Sequence, residues 1–179
     1  MGKKFTDFVK SLNEEEKKKS SEFNPKERIE TFQVLVDSLY NDINGWLEEE
    51  LQSGAITTGA VPVTIVEEQL GSYQTMNKWI QIGRERIELH PVGTIMIGTN
   101  ARIDMTCRSK EVMIVRAGEN VNGPGSLISV PIVGDGETEP ARKRNPGKAV
   151  WKYVKKEQRF SYVTLNKESF ENLIMELCR

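Results

Sequence analysis

The sequence predicts an α+β fold: N-terminal helices that include one long amphipathic helix, then a mainly antiparallel curled sheet of about seven or eight strands, then a C-terminal helix. Two observations support this order. Apolar residues recur at helical spacing before Gly54 and again after Asn166, whereas short runs rich in Val, Ile and Thr fill the span between them. Helices and strands are therefore segregated along the chain, which is typical of α+β proteins.

A chain of 179 residues has the length of a single domain, since domains usually run to roughly 100–200 residues. Residues 1–23 are predicted to be a helix followed by a charged spacer, because a run of Glu and Lys without an apolar face follows the first apolar residues. Residues 24–179 are predicted to form one domain. Within it we assign a long helix to 25–53, the sheet to 55–165 and a C-terminal helix to 166–178.

The long helix has clear signals at both ends. Asn24 is a good N-cap, Pro25 suits the first helical position, and Gly54 suits the C-cap. Gly45 lies inside the helix, where it costs about 1 kcal/mol relative to Ala. We expect Gly45 to mark a bend or a close contact with another backbone.

The apolar residues of this helix form a seam at alternating spacings of three and four. One interpretation packs the seam on the chain's own sheet, because helical stability comes mainly from tertiary packing. The other extends the helix past the sheet, so that the seam meets a second copy or another protein. The residues assigned to such a helix interface are Phe32, Val36, Leu39, Ile43 and Trp46.

Short apolar runs separated by turn residues predict the strands. The predicted strands cover 61–65, 80–82, 87–89, 101–105, 111–115, 127–133, 150–154 and 160–165. A further apolar run, 92–97, follows the third of them. Their short links favour an antiparallel meander, because parallel pairs need a crossover of about a dozen residues. A curled sheet or partial barrel is favoured because the edges of so many short strands need to be protected.

The C-terminal helix is predicted to begin at an N-cap. Asn166 is the cap, and Leu165 and Phe170 flank it at the positions of a hydrophobic staple. The apolar residues that follow share one face of the helix. They are Phe170, Leu173, Ile174 and Leu177.

Cysteine usage and hydropathy indicate a reducing, cytoplasmic location. Cys107 and Cys178 are the two cysteines, and neither belongs to a CxxC pair, so a disulfide scaffold or a cysteine zinc site is not predicted. No secretory signal is visible, and no apolar run approaches the ~20 residues that span a bilayer. We therefore predict no membrane partner, no metal and no cofactor.

The residues that could support catalysis do not form a known motif. His90 is the single histidine and stands before Pro91 at a predicted strand end. Glu85, Glu88 and Asp104 lie in the strand region, where they match the polar faces of amphipathic strands. An enzyme with a His90-based or carboxylate-based site is the third hypothesis for function, because the sequence supplies no partner geometry for it.

A basic stretch is the more informative feature. Residues 141–159 hold eight Lys or Arg residues and one Glu, a local net charge of +7 in a chain whose net charge is −1. Three interpretations remain open: a solvated loop followed by strands whose aromatic residues face the core, a contact with an acidic protein surface, and nucleic-acid binding. The residues assigned to partner binding are Arg142, Lys143, Arg144, Lys148, Trp151 and Lys152.

The leading prediction for function is a non-enzymatic protein–protein interaction module. Such a module would be an accessory, regulatory or immunity-type subunit of a bacterial complex, and its partner would be another protein or a second copy of the chain. The prediction depends on the helix interface and the basic stretch, the two surfaces suited to contact. A nucleic-acid-binding protein that uses residues 141–159 is the alternative.

Overall fold

The computed structural model describes residues 10, 24–94, 101–123, 148–156 and 160–179. Within them, one antiparallel sheet of seven strands has helices before and after it in the chain, which confirms the α+β class. The helices are α1 (Pro25–Trp46), α2 (Glu48–Gln52) and α3 (Lys167–Leu177). The strands are β1 (Ile56–Glu67), β2 (Gly71–Ile82), β3 (Glu85–Gly93), β4 (Arg102–Cys107), β5 (Lys110–Gly118), β6 (Ala149–Lys156) and β7 (Phe160–Thr164).

Several predicted elements lie outside the described residues. These are the helix and spacer of residues 1–23, apart from residue 10, and the strand at 127–133. Residues 124–147, which include the first part of the basic stretch, also lie outside the described residues.

The predicted long helix is interrupted at Leu47. α1 ends at Trp46, and Leu47 adopts φ −102° and ψ 17° before α2 begins. Leu47 is buried in the core, on the same face as Ile43, which lies four residues earlier. An added Cβ on Gly45 would meet no atom within 4 Å. The expected close contact at Gly45 is therefore absent, and the helix continues through this residue.

Side-chain caps begin both longer helices, as the sequence predicts. The Asn24 side chain accepts a hydrogen bond from the Glu27 amide at 3.4 Å. At α3, the Asn166 side chain accepts from the Ser169 amide at 3.0 Å, and the Ser169 hydroxyl accepts from the Asn166 amide at 2.8 Å. Each cap satisfies backbone donors that the first helical turn leaves without a partner.

The sheet is a meander in which each strand pairs with the next along the chain. The β1–β2 pair is the longest, with Ile56 opposite Ile82 and Glu67 opposite Gly71. Among the described residues, β1 and β7 are not paired with each other, so backbone pairing does not close the sheet into a barrel.

A polar network fixes the end of β3 to the β1–β2 hairpin. The Glu67 carboxylate accepts hydrogen bonds from the Thr94 amide at 3.0 Å and hydroxyl at 3.1 Å, and also from the Tyr73 hydroxyl. Gly93 has φ +149°, and a Cβ on it would lie 2.8 Å from the Glu67 carboxyl carbon. Only glycine allows this close approach without strain.

The core joins α1 and α3 over the sheet in a single cluster of buried residues. Phe32 of α1 meets Tyr73 edge to face at 6.0 Å between ring centroids. Trp46, at the end of α1, packs on Phe170 of α3 at 5.5 Å. The two helices therefore share one hydrophobic core, which sets how α3 lies against β5 and β6.

Candidate functional site

The residues assigned to a helix interface are buried within this chain. Phe32, Val36, Leu39 and Ile43 are each at most 1% exposed, and Trp46 is partly buried against the same core. This placement corresponds to the interpretation in which the seam packs on the chain's own sheet. In this fold four of the five side chains offer almost no surface to a partner, and Trp46 is partly exposed.

The basic stretch is described only in part. Arg142, Lys143 and Arg144 lie outside the described residues. Lys148 is exposed at the start of β6. Trp151 and Lys152, which were assigned to partner binding, are 7% and 1% exposed, so neither side chain is accessible to a partner here.

Lys152 has an internal role. Its Nζ donates hydrogen bonds to the backbone carbonyls of Glu119 at 2.8 Å and Val121 at 2.7 Å. Burial lowers the pKa of this lysine from its ordinary value, with a smaller opposing effect from the Glu119 charge. The alternation of β6 placed Lys152 opposite the aromatic face, but the sequence did not indicate that the 119–123 segment covers it.

A groove lies where α3 approaches the C-terminal half of β6 and the start of β5. Its volume is about 390 Å³, within the range of small ligand and peptide-side-chain pockets. The apolar part of its lining is Val112, Tyr153, Val154, Leu173 and Leu177. The charged part is Lys110, Glu111, Lys155, Lys156 and Glu176.

Lysines outnumber acids around this groove by three to two. Lys110 Nζ donates a hydrogen bond to the backbone carbonyl of Glu176 at 2.8 Å, so its charge lies at the C-terminal end of α3, where a cation is favoured by the helix dipole. Lys156 is exposed at the end of β6, next to half-buried Lys155. An apolar floor beside ammonium groups suits an apolar side chain that is followed by a carboxylate.

The sequence contained the parts of the groove but not their arrangement. Lys155 and Lys156 belong to the predicted basic stretch, and Leu173 and Leu177 belong to the predicted apolar face of the last helix. They meet because β5 pairs with β6 and α3 folds back onto both. Lys110 lies in the link between the predicted strands at 101–105 and 111–115, and no pattern in the sequence indicates that it contacts α3.

The hypothetical His90 site lies on β3 and β4. His90 Nε2 lies 3.2 Å from Glu88 Oε2, and both side chains are more than a third exposed. Asp104 stands opposite His90 in the β3–β4 register, but Arg102 binds its carboxylate through two hydrogen bonds of 2.7 Å. Both carboxylate oxygens of Asp104 are thus already bound by the Arg102 guanidinium.

No group of three His, Cys, Asp or Glu residues in the described ranges could hold a metal ion. None of the described helices combines the length and apolarity needed to cross a membrane.

Comparisons with protein-family models, with curated proteins and with solved structures found no match to this chain.

Proposed function

We propose that this chain is a non-enzymatic protein–protein interaction module whose groove between α3 and β5–β6 binds a short acidic and apolar segment of another protein. The observation that carries the proposal is the groove itself, where an apolar floor lies beside Lys110, Lys155 and Lys156. A segment with alternating apolar and acidic residues would place its apolar side chains on the floor and its carboxylates near the ammonium groups.

Nucleic acid is the competing ligand for the same lysines. Stacking on bases needs exposed aromatic faces, and Trp151 and Tyr153, the aromatic residues of β6, are 7% and 9% exposed. Phe160 is 58% exposed, but it does not line the groove. These exposures favour a peptide over a single strand of DNA or RNA.

The test uses three fluorescein-labelled peptides of twelve residues. The first combines Glu and Leu, the second replaces each Glu with Lys, and the third replaces each Leu with Ser. Fluorescence polarisation at low and at physiological salt should show binding of the first peptide and at least tenfold weaker binding of the other two. Binding of a labelled single-stranded DNA in preference to the first peptide would contradict the proposal and favour the nucleic-acid alternative.

A charge-reversed variant locates the site. We expect Lys155→Glu/Lys156→Glu to weaken binding of the Glu and Leu peptide at least tenfold, since two attractive charges become repulsive. The control variant, Lys26→Glu/Lys167→Glu, makes the same change in net charge in the first turns of α1 and α3, where acidic residues are tolerated. Equal losses of affinity in the two variants would indicate a non-specific charge effect and would contradict the assignment of peptide binding to the groove.

A further inference from the structure

The two cysteines, which are distant in sequence, meet in the fold. Cys107 is the last residue of β4, and Cys178 is the C-cap of α3. Their Sγ atoms lie 3.2 Å apart, although the residues are 71 positions apart in the chain. Both are free thiols; Cys107 is buried and Cys178 is half-buried.

The pair lies beside charged residues of β3 and of the β4–β5 turn. Cys107 Sγ lies 3.8 Å from Glu85 Oε2, and Arg108 Nε donates a hydrogen bond to the same oxygen at 2.6 Å. Burial, together with the hydrogen bond to Cys107, raises the pKa of the Cys178 thiol to about 12. Since the thiolate is the reactive form, we expect Cys178 to react slowly near neutral pH and faster as pH rises.

We propose that Cys107 and Cys178 form a dithiol oxidation site whose co-substrate is a peroxide and whose product is an intramolecular disulfide that joins the end of α3 to β4. The sulfur contact carries this inference, because a small movement brings the two atoms within bonding distance. This proposal does not rest on the proposed function, since neither cysteine lines the groove.

The chemistry balances with one peroxide for each disulfide. Cys178, the more accessible thiol, loses its proton, and the thiolate attacks one peroxide oxygen. The O–O bond breaks, a sulfenic acid forms, and the departing hydroxide takes up a proton to give the first water. Cys107 Sγ then attacks the sulfenic sulfur, the S–O bond breaks, and the second water leaves. The two thiols lose two electrons and two protons in total, and hydrogen peroxide is reduced to two waters.

The disulfide should stabilise the protein strongly because it closes a long loop. Crosslinking residues 71 positions apart restricts the unfolded chain far more than the native one. By the usual dependence on loop length, we expect the melting temperature of the oxidised protein to be higher by about 10 °C. Reduction with dithiothreitol should reverse the shift.

The experiment treats the full chain with hydrogen peroxide at pH 7 and pH 9, then blocks remaining thiols with iodoacetamide and measures the intact mass. The expected product is a monomer that has lost about 2 Da and takes up no iodoacetamide, formed faster at pH 9. Uptake of two iodoacetamide groups after prolonged oxidation, a covalent dimer, or a sulfinic acid as the main product would overturn the proposal.

A matched variant separates the disulfide from other effects of oxidation. Cys178→Ser removes the half-buried partner and leaves a thiol that cannot form an internal bond. Its melting temperature should not rise after peroxide treatment. A rise equal to that of the unmodified chain would show that the stabilisation does not come from this disulfide.

Discussion

α1 and α3 contribute to the same core, yet they leave different surfaces beside the sheet. Polar side chains join α1 to β2 and β3: the Tyr40 hydroxyl donates to the carbonyls of Met76 at 2.9 Å and Leu89 at 3.2 Å, and Lys78 Nζ donates to the Asn44 side chain at 2.7 Å. On the α3 side a groove of about 390 Å³ stays open.

This difference is also seen in the exposure of the lysines on the two sides. On the α1 side, Lys78 is 4% exposed, and its ammonium group lies 5.6 Å from the centre of the Tyr40 ring. On the α3 side, Lys156 lines the groove and is exposed. The lysine under α1 contributes to internal packing and hydrogen bonding. Beside α3, Lys156 is exposed, Lys155 is half-buried and Lys110 is bonded to the Glu176 carbonyl.

The largest difference in stability between the two sides is expected for a truncation at Phe32. Phe32→Ala should lower the free energy of unfolding by about 3–5 kcal/mol, because it leaves a cavity where the ring packs against Tyr73. Urea denaturation measures the change. A loss below about 1 kcal/mol would mean that the α1 interface is not the tightly packed region that its burial indicates.

The groove should respond much less to a similar truncation. Val112→Ala removes two methyl groups from a partly buried side chain, and we expect a loss of about 1 kcal/mol in stability. Affinity for the Glu and Leu peptide should fall several-fold, since the floor loses apolar area. If stability falls as far as in Phe32→Ala, the comparison between the two helices fails.

The smallest expected effect is a pH dependence of the free energy of unfolding that comes from Lys78 at the α1 interface. Desolvation by burial lowers the pKa of Lys78 below its ordinary value, so between the two values the folded state has lost a proton that the unfolded state keeps. Stability should therefore rise with pH in that window, by less than about 1.4 kcal/mol for each pH unit. Below the folded-state pKa both states are protonated and the slope from this group vanishes.

The measurement compares the chain with Lys78→Met by urea denaturation from pH 7 to pH 10. The difference in unfolding free energy between the two should change in favour of the lysine form as pH rises. The pKa of nearby Tyr40 is raised by burial, so that tyrosine stays neutral in the folded state across this range. Lys156→Met serves as the control, and a similar slope in that variant would contradict the assignment to Lys78.

Local signals predicted much of the fold because they depend on neighbouring residues. The caps at Asn24 and Asn166 and the apolar faces of α1 and α3 are properties of a single turn or helix, and the structure contains all of them. The interruption at Leu47 has no such local signal. The sequence shows no Pro there, and Gly45, the one weak signal, lies two residues earlier.

The candidate sites were less accessible to sequence reasoning. The charge of Lys152 suggested a solvent-facing residue, but the segment that buries it comes from about thirty positions earlier in the chain. Cys107 and Cys178 gave no spacing motif, and their 3.2 Å contact exists only because α3 returns to the end of β4. Such contacts depend on chain topology, which short-range patterns do not encode.

The α+β class, the helix caps and the apolar faces of the helices could be read from the amino-acid sequence, since side-chain periodicity and capping act over a few residues. Other features became visible only in the fold: the α1 seam is covered, Lys152 is internal, the lysines of β5 and β6 meet α3 at one groove, and two cysteines touch. These features differ from the first group because accessibility and proximity are set by how distant segments pack together.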